Sequence, residues 1–237
     1  FAGSSVVCLN THYTDYLLAE ANLDLVNLFG SIKQHGVDFI DYCKTYFSEA
    51  NNAEAQYYLY RSVFNQCTDK QQRAALFLYL NRHGYNGLCR YNARGGYNVP
   101  FGRYKKPYFP HKELLEFHHK SQHADIIHAD FRETFKKARR GDVIYCDPPY
   151  SPIQQISNFS AYTSHKFGED EHRTLATLAS QAALAGIPVI ISNHDTAFTQ
   201  QLYQGAEMKS IQVKRSISCL GGQRQTVSEL IAIFHAS

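Results

Sequence analysis

The feature that most tightly limits how this chain can fold is an apolar run, Val143-Ile144-Tyr145-Cys146, that leads straight into Asp147-Pro148-Pro149-Tyr150. A short apolar run of this kind reads as a buried parallel strand. Parallel sheets carry their ligands outside the carboxyl ends of the strands, which is where the rigid turn falls. The residues suit methylation of an aromatic exocyclic amine. Such a nitrogen is a weak nucleophile while its lone pair is delocalised into the ring. Two fixed acceptors, the Asp147 carboxylate and the Pro148 carbonyl, would each take one N–H and draw the nitrogen towards tetrahedral geometry. Pro149 stiffens the turn and Tyr150 offers a ring on which a base can stack. A plain turn ending a strand is the competing reading, because Pro-Pro is a common breaker.

Length and charge narrow the classes. A chain of 237 residues is long enough for one large domain or two intimate ones. No apolar stretch is long enough to cross a bilayer and no leader-like pattern opens the chain, so a cytoplasmic protein is expected. The six cysteines are irregularly spaced with no C-x-x-C, which argues against a zinc ribbon or a disulfide framework. The net charge of +3 is small, but its distribution is uneven. From Arg82 to Lys106 there are six Arg or Lys and no acid, and residues 209–225 hold four more, again without an acid. Two acid-free basic segments are a candidate nucleic-acid footprint.

Apolar spacing divides the chain further. Tyr16-Leu17-Leu18-Ala19-Glu20 reads as a short strand ending in an acid, after a turn of small residues at Phe1-Ala2-Gly3-Ser4-Ser5. From Asn22 to about Arg82 the spacing is helical. Arg94-Gly95-Gly96 marks the turn of a β-hairpin. Strands are then expected at residues 124–129, 143–147 and 188–193, a long helix at about 169–185, and a final hairpin joining residues 209–216 to 227–234. The expected organisation is an α/β catalytic domain of residues 1–45 and 111–237, interrupted by a helical and hairpin insertion of residues 46–110.

Several constellations follow. Glu20 ends a strand after a glycine-containing turn, the geometry that holds the ribose of an adenosine cofactor; a surface glutamate is the bland alternative. Asp130-Phe131 closes the next strand, where the acid can take an adenine amine and also cap a helix. Residues 81–92 concentrate arginines, amides and aromatics in a glycine-loosened loop. Arg reads guanine in bidentate fashion, and Tyr85, Tyr91, Tyr97 and Tyr104 are rings on which a base could stack. His118, His119, His123 and His128 fit no ligand spacing and are expected to be solvated, with no metal site. Ser192-Asn193-His194-Asp195 lacks a nucleophile elbow and reads as a strand end with a helix cap near Thr196.

Taken together, residues 77–82, 84–92, 98–110, 143–150, 191–196 and 215–218, with Gly221-Gly222, closely resemble the bacterial Dam family, which methylates the adenine N6 amine in GATC. The resemblance implies S-adenosylmethionine as methyl donor, a Rossmann-like methyltransferase sheet with an inserted recognition domain, and double-stranded DNA as partner for what is expected to be a monomer. It implies that Asp147, Pro148, Pro149 and Tyr150 hold a flipped adenine. Phe1 and Gly3 match the family's F-x-G cofactor turn, Glu20 stands where the family usually has Asp, and Asp130-Phe131 matches its adenine-binding strand end. Arg90 would read a guanine, Leu88 and Pro100 would touch a thymine methyl, and Tyr85 and Asn86 would fill the gap left by the flipped base. Arg82, Asn98, Arg103, Tyr104 and Lys105 would lie along the DNA, and Asn158, Phe159 and Tyr162 in a loop over the target. Ser5 replaces the second glycine of F-x-G-x-G, which tightens that turn. The family's W-x-G-G-K segment is not present, so an incomplete N-terminus is expected. The rival readings are an N4-cytosine methyltransferase and a catalytically inactive DNA-binding relative.

Overall fold

A computed structural model describes residues 1–151, 167–214 and 226–237. They form two compact units: residues 3–128, and Phe1–Ala2 with the described residues from Ala129 onward.

In the first unit, β1 (Tyr16–Glu20) pairs in parallel with β2 (Ala124–His128). A short α1 (Val6–Asn10) precedes β1. Between the strands lie α2 (Leu23–Thr45), α3 (Glu54–Gln66), α4 (Lys70–His83) and α5 (His111–Ser121). Asn22 starts α2 by accepting the Asp24 and Leu25 amides, and Asp69 starts α4 by accepting that of Gln72. The helices bury Ile32, Ile40, Leu76 and Leu80, together with the rings of Tyr57, Phe64, Tyr79 and Tyr97.

The 23-residue α2 is not a straight rod. Gly36 takes φ 51°, ψ −128° and kinks it, which deprives carbonyls one turn earlier of their amide partners. Residues of α5 supply the replacements. His118 Nδ1 donates to the Ile32 carbonyl at 2.9 Å, and Gln122 Nε2 to that of Lys33 at 3.1 Å. His118 is therefore a half-buried structural donor rather than a solvated histidine, and its tautomer is fixed because a carbonyl can only accept. Among the described residues no group of His, Cys, Asp or Glu is arranged to hold a metal.

The segment after α4 folds back on itself as the Arg94-Gly95-Gly96 turn predicts. Gly95, at φ +79°, donates to Asn92 O, and Asn92 N donates to Gly96 O. Its arms, however, make only isolated bridges, Tyr91 with Tyr97 and Gly84 with Phe101, and no ladder. Helix α3 takes the place of a neighbouring strand: Tyr57 and Arg61 both donate to Val99 O, and Asn65 brackets the backbone of Tyr97.

The second unit is built on a four-stranded sheet in the order β3-β4-β6-β5. Its strands are β3 (Ile144–Cys146), β4 (Val189–His194), β5 (Glu207–Lys214) and β6 (Thr226–Phe234). β3 and β4 are parallel, while β6 runs antiparallel to both β4 and β5. The helices are α6 (Phe131–Phe135), α7 (Glu169–Leu184) and α8 (Ala197–Leu202). α7 buries Leu175 and Ala179 against Val189, Ile191, Leu230 and Ala232. The apolar run before the Asp-Pro-Pro-Tyr turn is less buried than its sequence suggests. Cys146 faces the core, but Val143 and Tyr145 are 43% and 38% exposed, because β3 is an edge strand among the described residues.

His83, at the end of α4, gives the first unit a pH limit. Burial beneath the rings of Tyr79 and Phe47 lowers its pKa from 6.5 to about 4, although Nδ1 donates to Tyr79 O. The folded state thus disfavours the charged ring, and the unfolded chain binds more protons between those values. The contribution is fully present above pH 6.5 and is lost as pH falls towards 4, amounting to up to about 3 kcal/mol. Thermal denaturation of His83→Gln is expected to show a flatter fall in midpoint over that window than the parent chain.

Candidate active site and recognition loop

At the carboxyl end of β3 the chain enters Asp147-Pro148-Pro149-Tyr150, and the neighbouring strand β4 ends beside it with Ser192-Asn193-His194. Three consecutive residues of β4 hold the turn. Ser192 Oγ donates to Asp147 Oδ1 at 2.7 Å, which orients the carboxylate. Asn193 is fully buried and accepts the Ser151 amide at 3.0 Å. Its Nδ2 donates to Tyr203 Oη and to His172 Nδ1, so no polar atom of the amide is left without a partner. His194 Nδ1 donates to the Ser151 carbonyl at 2.7 Å, and its ring meets that of Tyr150 edge-on at 4.9 Å. Both backbone groups of the residue behind Tyr150 are thereby fixed.

Within this frame Asp147 and Pro149 are exposed and Pro148 is buried. The Tyr150 hydroxyl reaches Glu229 of β6 at 3.4 Å. Burial pushes the Tyr150 phenol up to about 12, so it stays neutral and offers a ring and a hydroxyl rather than an anion. The arrangement presents an oriented carboxylate, a proline-stiffened backbone and an aromatic face. It contains no activated nucleophile. Reading Ser192-Asn193-His194 as a strand end with a cap near Thr196 captured the secondary structure, since Thr196 does cap α8. It missed the clamp, whose partners lie more than forty residues away.

The other residues matched to a cofactor divide between the two units. In the second unit Phe1 stacks on the buried Phe131 at 5.4 Å and meets Phe167 edge-on, in an aromatic cluster at the margin of the core. Asp130 caps α6 by accepting the Arg132 amide at 2.8 Å, and it pairs with the Arg132 guanidinium. In the first unit Glu20 sits half-buried at the end of β1, accepting the amides of Gly3 at 3.2 Å and Asn22 at 3.0 Å. Gly3 has φ 51°, and Ser5 follows at φ 57°, buried, with its hydroxyl unpartnered. A non-glycine residue in that region is strained.

The basic loop of residues 84–105 is held from beneath. Tyr97 is buried and donates to Leu88 O, and Tyr91 donates to Asp24, so these two rings are structural and not stacking platforms. Tyr85 and Tyr104 remain 46% and 40% exposed. Tyr104 Oη accepts the Asn86 amide, with Asn86 itself at φ 53°, and Leu88 and Pro100 are exposed nearby in sequence. Asn98 engages one edge of Arg90, taking Nε at 2.8 Å and Nη2 at 3.0 Å, which leaves the guanidinium end for a further acceptor. Arg82 is turned onto Tyr108, donating to its carbonyl. Arg103 is exposed and pairs with Glu54, and Lys105 is exposed. Asn158, Phe159, Tyr162 and the residues 215–222 lie outside the described residues.

Comparison with known proteins decides the chemistry. The profile of the D12 class N6 adenine-specific DNA methyltransferases matches residues 1–217. The chain belongs to this family. It is 47% identical over 235 residues to a DNA adenine methylase of Serratia marcescens, covering 99% of this chain and 87% of that protein. It is 47% identical over 238 residues to the DNA adenine methylase of Haemophilus influenzae, covering 100% of this chain and 83% of that protein. The corresponding protein of Escherichia coli K12 is 44% identical over 234 residues, covering 99% and 84%. As a member of the D12 class, the chain is a site-specific DNA methyltransferase acting on the N6 amine of adenine, so the N4-cytosine reading falls.

Two substitutions test these contacts. Ser192→Ala removes the 2.7 Å bond that orients the Asp147 carboxylate, and in the catalytic role proposed below for Asp147 a displacement of about 1 Å costs on the order of a hundredfold. Steady-state kinetics are expected to show at least a tenfold loss in kcat at nearly constant KM for DNA. Ser5→Gly relieves a left-handed backbone and removes a buried, unpartnered hydroxyl. It is expected to raise the unfolding free energy by about 1 kcal/mol, read by thermal or denaturant unfolding.

Proposed function

We propose that the protein methylates adenine N6 within GATC sites of double-stranded DNA, using S-adenosylmethionine, as a cytoplasmic monomer. The observation that carries this reading is the Asp147–Tyr150 turn held by three successive residues of β4. In the proposed organisation residues 1–45 and 111–237 form a Rossmann-like catalytic domain, with residues 46–110 inserted for target recognition. Nothing about the residues present opposes the donor. Phe1, Gly3, Glu20, Asp130 and Phe131 are carried over from the family as the residues that would hold the donor, the acid of Asp130 suiting an adenine amine and that of Glu20 ribose hydroxyls. When bound, the donor supplies an electrophilic methyl group on a sulfonium.

The chain's own residues do the rest. The target adenine is flipped from the duplex, and its amine donates one hydrogen to Asp147 and the other to the Pro148 carbonyl. Pro149 keeps that carbonyl in place and Tyr150 stacks on the base. The nitrogen would bond to the methyl carbon as the carbon–sulfur bond breaks and its electron pair returns to sulfur. The Asp147 carboxylate would stabilise the positive charge developing on nitrogen, and the acidic product ammonium would then lose one proton to water. Catalysis is then mostly positioning and electrostatics, with no strong base required. On the DNA side, Arg90 reads a guanine edge, Leu88 and Pro100 meet a thymine methyl, and Tyr85 and Asn86 enter the gap in the duplex. Asn98, Arg103, Tyr104 and Lys105 follow the strand. Arg82 and Asn158 complete the set carried over from the family.

Incubation with duplex DNA and S-adenosylmethionine, followed by sequencing of the methylated product, is expected to place N6-methyladenine in GATC; modification spread over unrelated sequences would overturn the assignment. Asp147→Ala is expected to lower kcat at least a hundredfold while changing the Kd for DNA much less, because phosphate contacts dominate DNA affinity. Retention of more than half the activity by this variant would refute the role given to Asp147.

A further inference from the structure

Asp24 lies in the first turn of α2, is 7% exposed, and is absent from both the donor and the DNA assignments above. A buried carboxylate has to be paired, and this one has partners from two distant parts of the first unit. Arg73 of α4 meets it with two bonds, Nε to Oδ1 at 2.5 Å and Nη2 to Oδ2 at 3.1 Å. That guanidinium is itself immobilised, donating to Phe64 O and lying over the Phe64 ring at 4.1 Å. Tyr91 adds a 2.6 Å bond from its hydroxyl to Oδ2.

Tyr91 directly follows Arg90. The residue before it, Cys89, accepts Asn22 Nδ2 at 3.2 Å, and Asn22 is the cap of the same helix. Both neighbours of Arg90 are therefore tied to the start of α2. In extended backbone successive side chains point to opposite sides. Arg90 accordingly points away from α2, towards Asn98, which grips one edge of its guanidinium. The loop has no ladder of its own to fix this orientation, since Tyr91 makes only an isolated bridge.

We propose that Asp24, held by Arg73, is a positioning residue for base recognition, fixing through the Tyr91 hydroxyl the segment from which Arg90 presents its guanidinium to guanine. The inference rests on the base-reading role proposed for Arg90. It adds a residue that touches no DNA yet governs selectivity at one base pair.

Removing Asp24 itself would leave the half-buried Arg73 guanidinium without its carboxylate, with general loss of stability. Tyr91→Phe deletes only the hydroxyl, and Asp24→Asn keeps the shape while weakening both contacts. The readout is the ratio of kcat/KM on GATC duplex to kcat/KM on duplexes altered at one base pair at a time, with thermal midpoints measured alongside. Tyr91→Phe is expected to lower the ratio about five- to tenfold at the guanine pair alone, and Asp24→Asn to lower it at the same pair. In an Arg90→Ala background Tyr91→Phe is expected to have no further effect, because the two act as one unit. An unchanged ratio in Tyr91→Phe, an equal fall at every position, or an additive effect in the Arg90→Ala background overturns the proposal. If Arg90→Ala itself keeps full guanine discrimination, the base-reading assignment falls and this proposal with it. Loss of discrimination in Arg90→Ala but not in Tyr91→Phe removes this proposal alone.

Discussion

The bond from Ser192 to Asp147 and the two that Asn193 and His194 make to Ser151 are the constraint that fixes the Asp-Pro-Pro-Tyr turn. A loop of two prolines between an edge strand and residues 152–166 has little secondary structure to hold it. β4 supplies the missing rigidity, because it is central in its sheet, flanked by β3 and β6. The register follows from the parallel pairing: with Cys146 opposite Ile191, the next three residues of β4 come level with the turn. Apolar burial at Ile191 thus decides where Ser192 stands. In the role proposed for Asp147, a carboxylate that meets a weakly nucleophilic amine gains most from an orientation set before the substrate arrives.

The first unit solves a related problem by different means. Its basic loop carries bulky, charged side chains outward and cannot bury them as a core. Instead Tyr57 and Arg61 of α3 reach the Val99 carbonyl of the loop, and Tyr97, buried in the loop itself, reaches that of Leu88. Each phenol fills a hydrophobic slot with its ring and satisfies a backbone acceptor with its hydroxyl. Burial raises the pKa of both Tyr57 and Tyr97, so each hydroxyl keeps the hydrogen that it donates. The loop is in this sense an outer layer fastened to α3 and α4.

Strand ends were the most legible part of the chain. The acids Glu20, Asp130 and Asp147 close β1, β2 and β3 as their apolar runs imply, and α7 occupies nearly the span that its spacing gives. Caps were also readable, because a cap is a contact between neighbours in sequence. What could not be read depends on partners far along the chain. Tyr85, Tyr91, Tyr97 and Tyr104 look alike in a basic, glycine-rich stretch, yet two face in and two face out, according to whether Asp24 or Leu88 O lies within reach. Ser192-Asn193-His194 resembles any polar strand end until β3 is placed beside it. Val143 and Tyr145 suggested burial because apolar runs do, and exposure at a sheet edge is a property of strand order rather than of the run.

The kink in α2 ties two positions together as a single heritable unit. A Cβ at residue 36 would stand 2.7 Å from His118 Nε2, so any larger residue there demands a smaller one at 118. A smaller residue at 118 would abandon the Ile32 carbonyl that the kink exposes. Each change alone is harmful, and the simplest compensating pair is harmful as well, unless the helix straightens and α5 shifts with it. Homologues that lack this glycine should therefore differ in helical architecture rather than in one contact. Exchanging the segment 23–45 between relatives without residues 111–122 should yield proteins that fold poorly, even where every exchanged residue is acceptable in its parent.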